Sequence, residues 1–205
     1  GELVLGNFKT QQPSKLAQLR LQVEEEHAQA LQRYESAREK INEQSRSAQR
    51  RARTAEDYVR QARQQRHESR QHIGKLKSPS LMAFGGMHGI VRDASDAIER
   101  ASRVLGRARE TARDAIARAA TARQILEQER IGDQVLSAAV SAVFTQARRI
   151  QDGVSEEDGK LSKAHDRVQD CVQAAGVLSA MEERAHAIMN LTHSDTETLL
   201  REENV

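Results

Sequence analysis

Apolar residues recur along this chain in alternating steps of four and three. The first stripe reads His27, Leu31, Tyr34, Arg38, Ile41, Ser45 and Ala48, then Ala52, Ala55, Val59, Ala62, Arg66, Ser69, Ile73 and Leu76. A repeat of 3.5 residues keeps one face of an α-helix turned toward a partner helix, as in a coiled coil. It predicts a first helix over residues 14–77, entered at Pro13-Ser14 and broken at Ser78-Pro79, because proline disfavours helical geometry in the residue before it. A second stripe runs Ile90, Ala94, Ala97, Ala101, Val104, Ala108, Thr111, Ala115, Arg118, Ala122 and Ile125. It is broad, since Ala112 and Ala119 serve as well as Thr111 and Arg118. It continues less strictly through Ile131, Val135, Ala138, Ala142 and Val143 to Ile150, which predicts a second helix over 90–151 with soft points at Gly106 and Gly132. Gly153 and Gly159 are expected to close it. A third stripe, Leu161, Ala164, Val168, Cys171, Ala175, Leu178, Met181, Ala185 and Ile188, predicts a third helix over 158–202.

The expected fold is all-α: an elongated antiparallel helical hairpin with a third helix packed along it, a coiled-coil-like three-helix bundle forming one domain over 1–205. Folding the hairpin near residue 83 sets Ala48–Ala62 against Leu105–Ala119, where small side chains let two backbones approach closely. The third helix is expected to run parallel to the first and to reach only to about residue 60, leaving 60–105 as a two-helix tip. The connecting loop, 78–89, gathers Leu81, Met82, Phe84, Met87 and His88, with Gly85, Gly86 and Gly89 to reverse the chain. Two readings of it stand open. The apolar side chains cap the tip, or they form a distal binding loop for a protein or host ligand.

Composition sharpens the all-helical reading. Aromatic residues are 2% of the 205, charged residues 30%, and there is no tryptophan. Charge is uneven along the chain. Residues 46–77 carry ten basic and three acidic side chains, whereas 151–205 carry five and twelve. Arg46, Arg50, Arg53, Arg60, Arg63, Arg66 and Arg70 form a candidate basic face. It suits an anionic membrane surface, or it pairs with the acidic third helix. Nucleic acid is not an expected partner, because this stretch has no groove-entering motif and only Tyr58 for stacking. No apolar run is long enough to span a membrane, and "GELVLGNF" is too short and too acidic for a signal peptide.

The chemistry of an enzyme is not signalled, and no cofactor or metal is expected. "GGMHG" follows no strand, so it is not a phosphate-binding loop. Cys171 lies on the third stripe with no partner cysteine and reads as a packed thiol. His67 and His72 fall on different helical faces, so they do not gather with His88 around a metal. Glu24–Glu26 and Glu156–Asp158 read as solvated charge without an enclosed cleft. Asn190-Leu191-Thr192 matches the glycosylation acceptor pattern.

Both alanine seams, the glycine-rich segment 85–89, the shorter returning helix and the "NLT" near the C-terminus together resemble the helical-bundle surface proteins of African trypanosomes, most nearly the glutamic acid/alanine-rich protein. The resemblance covers the whole chain in style. It departs in having one cysteine where most relatives carry disulfides, and in being arginine-rich. It implies a non-catalytic, lipid-anchored cell-surface coat or stalk protein, a glycoprotein shielding the surface or binding through the loop end, with its anchor outside this sequence. The C-terminal tail would then have to return toward the membrane. Two alternatives come from other classes. One is a cytoplasmic membrane-binding module resembling BAR domains, which dimerise and hold anionic lipid with lysine and arginine. The other is the coiled-coil arm of a larger scaffold protein.

Overall fold

The computed structural model of this protein describes the backbone of residues 2–76 and 84–203, and the side chains of 14–76 and 86–203. Among the described residues there is no strand, and the fold is an all-α three-helix bundle. Its helices are α1 (Glu2–Lys75), α2 (Phe84–Gln128) and α3 (Gln134–Glu203).

The helix boundaries differ from those expected in three places. α1 starts at Glu2, so Pro13 and Ser14 lie within it rather than at its entrance; the fixed φ of proline is itself a helical value. α2 starts at Phe84, so residues 84–89 are helix and not loop, and no glycine among the described residues has a positive φ. The largest correction concerns the second turn. It falls at 129–133, and Gly153 and Gly159 lie inside α3.

Backbone chemistry explains that turn. At the end of α2 the Ile131 N–H donates to Leu126 O at 3.1 Å, and the Arg130 N–H donates to Glu127 O at 3.3 Å. This pair of bonds is the Schellman motif, which needs a left-handed residue at its centre. Arg130 takes that conformation, with φ of 50°. Ile131 packs back beside Leu126 in the core. Asp133 then caps α3, its Oδ1 accepting from the N–H of Val135 at 3.0 Å and of Leu136 at 3.1 Å.

The helix survives Gly153 and Gly159 because the core stripe passes through them unbroken. The inward positions run Leu136, Val140, Val143, Ala147, Ile150, Val154, Glu157, Leu161, Ala164, Val168, Cys171 and Ala175, in steps of four and three throughout. Each glycine costs about 1 kcal/mol in a helix interior. Burying Val154 and Leu161 returns roughly 1.5–3 kcal/mol apiece, so continuing the helix wins.

The chain divides into two compact units. The first comprises residues 1–52 and 112–149, the second 53–111 and 150–205. Each contains a segment of all three helices. In the first, Ile41 packs with Ala122, Leu126, Leu136 and Val140, and Ala48 packs with Ala119 and Val143. Phe144 lies beneath two guanidinium groups, those of Arg148 at 4.8 Å and Arg123 at 5.8 Å from its ring centre. Arg51 pairs with Asp114, which also takes Arg118.

In the second unit Val59 and Ala62 of α1 join Ala94, Ile98, Ala101 and Leu105 of α2, and Val154, Leu161 and Val168 of α3 complete the core. The stretch expected as a two-helix tip is therefore three helices thick. The third helix does not stop near residue 60 but accompanies α1 to Ile73. α1 and α2 are antiparallel here, with the Ser69 hydroxyl donating to Ala94 O at 2.9 Å and Arg100 Nε donating to Gln65 at 2.9 Å. The buried face of α2 stays broad here, with Ala97 buried beside Val91, Ala94, Ile98, Ala101, Leu105 and Ala108.

Candidate interaction surfaces

Two features of the second unit depart from a plain apolar bundle. The first is Glu157, on the core stripe of α3 with its side chain only 2% exposed. Arg66 Nε reaches it at 2.5 Å and Arg63 Nε at 3.6 Å. Arg66 is itself on the α1 stripe and 14% exposed, while Arg63 is 53% exposed. The pair thus replaces an apolar contact between α1 and α3 with a buried ionic one. Beside it, Asp158 pairs with Arg109 of α2 at 3.2 Å and Glu156 with Lys160 at 2.9 Å. The bond to Lys160 holds the Glu156 carboxyl below its ordinary range, and the Lys160 charge adds to that. Glu156–Asp158, expected as solvated charge, therefore divides into one buried anion and two exposed ones.

The second feature is a groove of about 560 Å³ between α1 and α3. Its floor is Ile73, Ala164, Val168 and Cys171, with Ser69. Its rims are cationic: Arg66 and Arg70 on α1, Lys160, Lys163 and Arg167 on α3. Asp170 is the single acid. The helix repeat produces these rows, since spacings of three and four place side chains on one face. Cys171 is half-buried there, and burial, reinforced by the Asp170 charge, pushes its thiol pKa up. A raised pKa leaves little thiolate at neutral pH, as suits a packing thiol rather than a nucleophile.

The expected basic face does not stay together. Arg66 and Arg70 enter the groove, Arg63 and Arg66 hold Glu157, and Arg60 pairs with Asp57 at 3.2 Å. Arg53 is exposed. In the first unit Arg46 and Arg50 line a shallow hollow with Glu35, Glu39 and Glu43, which interleaves acid with base. The groove's other cations, Lys160, Lys163 and Arg167, were not singled out from the sequence. Their spacing of three and four was the available signal, masked by the net acidity of the region.

Of the residues expected in a distal loop, Met87 is half-buried and His88 exposed, and both sit in the first turns of α2. Phe84 begins that helix, its side chain outside the described residues, as are Leu81 and Met82. Asn190 is exposed within α3, where the Thr192 hydroxyl donates to Ile188 O at 2.9 Å.

Two helical stretches carry apolar side chains with no packing partner. In the first unit every described side chain of α1 from residue 14 to 36 is exposed, including Leu16, Leu19, Val23 and Leu31. In the second, the buried stripe of α3 ends at Ala175. Beyond it Met181 is 61% exposed, Ile188 64% and Leu199 62%. Among the described residues no helix is long and apolar enough to cross a membrane, and no group of three side chains could hold a metal ion. No protein family, curated protein or solved structure matches this chain.

Proposed function

We propose that the protein is a non-catalytic structural module that works by pairing its helices with other helices. The observation that carries this reading is the run of unpartnered apolar residues on α1 before Ala37 and on α3 after Ala175. Most helices in proteins gain their stability from packing an apolar face rather than from propensity. Leucine, isoleucine and methionine at helical spacing on such a stretch supply that face. A coat or stalk at a cell surface is one setting for such a module, and a scaffold arm within the cell is another.

The test is functional. In cells lacking their own copy, the full chain with Leu16, Leu19 and Val23 changed to serine should fail to restore function, although its bundle melts as before. The triple change Met181→Ser, Ile188→Ser, Leu199→Ser should behave likewise. Full function in both variants would overturn the reading. Surface labelling of intact cells then separates the two settings.

A further inference from the structure

We propose that the second unit forms a two-fold dimer, in which the α3 stretch 178–203 of one copy lies in the cationic groove of the other. This rests on the helix-pairing reading above and names the partner for one of the two exposed stretches.

Charge and shape both argue for a second copy. The groove has five cations and one acid over an apolar floor. Among the described residues Arg70, Lys163 and Arg167 make no ion pair. The stretch 178–203 is the complement, with six acidic residues, two basic ones and an apolar stripe. An amphipathic acidic helix is the occupant that such a groove recognises, through its floor for affinity and its rims for orientation.

The two surfaces lie on one face of α3. Lys163, Arg167, Cys171, Ala174, Leu178 and Met181 follow one another in steps of three and four, and the same spacing continues through Ala185, Ile188, Thr192 and Asp195 to Leu199 and Glu202. The face is therefore cationic at its start, apolar in its middle and acidic towards its end. Two such faces laid antiparallel satisfy each other. With a two-fold axis near Met181, residues 163–171 of one copy oppose 191–199 of the other, which sets Arg167 against Asp195 and Lys160 against Glu202 of the second copy. The same operation fills the other groove, so the contact is closed and self-complementary. An overlap of about 43 residues runs for ~65 Å. At a helix width of ~10 Å that is roughly 650 Å² per partner before α1 is counted, approaching the ~800 Å² of a standard interface.

Light scattering on the size-excluded full chain, at micromolar concentration and low salt, tests this directly. The parent should be a dimer that weakens as salt screens the rims. Lys163→Glu with Arg167→Glu should be monomeric with its bundle core still folded, since both side chains are exposed and outside that core. Asp195→Lys with Glu202→Lys should be monomeric as well. An equimolar mixture of the two variants should dimerise again, because each groove then meets a stretch of opposite charge. A monomeric parent would overturn the proposal, as would variants that still dimerise or a mixture that stays monomeric. A monomer that sediments with anionic phospholipid vesicles would overturn it in favour of a membrane as the groove's occupant. Should the parent be monomeric while the serine variants still lose function, helix pairing stands and a different chain is the partner.

Discussion

Replacing Glu157 by alanine should destabilise the second unit by about 3–5 kcal/mol, the range for removing one member of a buried ion pair. The size follows from who is left behind. Arg66 is 14% exposed, so its guanidinium would stay largely desolvated at the edge of the groove with no carboxylate to hold it. Arg63 offers no rescue: it is 53% exposed, and its own contact with Glu157 is screened and worth at most about 1 kcal/mol. Arg66 can lift its head group part of the way to water, which places the expectation near the lower end. At 2–4 °C per kcal/mol for a chain of this size, about 3 kcal/mol lowers the melting temperature by roughly 6–12 °C. The double change Arg66→Leu with Glu157→Leu should behave oppositely. It removes both desolvation costs and restores two apolar positions to their stripes, so it should fall within about 1 kcal/mol of the parent or exceed it. Urea unfolding of the parent, Arg66→Leu, Glu157→Leu and the double variant, followed by circular dichroism, gives the double-mutant cycle, and an unchanged dependence on urea confirms that the same surface unfolds. A Glu157→Ala loss under about 1 kcal/mol would refute the argument. So would a double variant as unstable as the two single losses added together.

Arg130→Gly should raise stability by about 1 kcal/mol, because a side chain in the left-handed region is strained and glycine is not; thermal melting checks it, and a fall would show that the Arg130 side chain matters more than its backbone. Asp133→Ala should cost about 1 kcal/mol through the lost cap of α3, read in the same melt, and no change would mean that other groups satisfy the freed N–H donors. Cys171 should react with iodoacetamide at pH 8 more slowly than a free cysteine, since its raised pKa keeps the thiol protonated; mass spectrometry of the labelled chain measures this, and faster labelling would contradict it. Ala108→Leu should destabilise by at least ~1–3 kcal/mol, because Ala108 is fully buried on a seam of small residues and three added carbons have no room; tolerance of the change would show that the seam has space to spare.

The helical class and the pairing of α1 with α2 could be read from the sequence because they depend on spacing alone. Ala48 shares a cluster with Ala119, and Ala62 with Leu105, as a fold near residue 83 requires. The second turn was hidden because a propensity rule and a packing rule disagree at Gly153 and Gly159. Propensity marks them as ends, yet Ile150, Val154 and Leu161 keep the stripe in phase across them, and burial outweighs the glycine cost. The residue that obscured this phase is Glu157, a charged side chain on an inward position. There the stripe is ionic, through Arg66 and Arg63. At the true turn the left-handed residue is Arg130 rather than glycine, so the usual signal was one position type away from recognition.

The groove was half legible for a related reason. Arg66 and Arg70 belong to a stretch whose excess of arginine is plain in the sequence, whereas Lys160, Lys163 and Arg167 lie in a segment with more than twice as many acids as bases. Net charge averages over all faces of a helix, but a neighbouring molecule meets one face at a time. Counting charge by face instead of by segment puts Lys160, Lys163 and Arg167 opposite Arg66 and Arg70, with Ile73 and Val168 between them. The same count along α3 separates its cationic start from its acidic end. That separation is what allows one helix to carry both halves of a self-complementary contact.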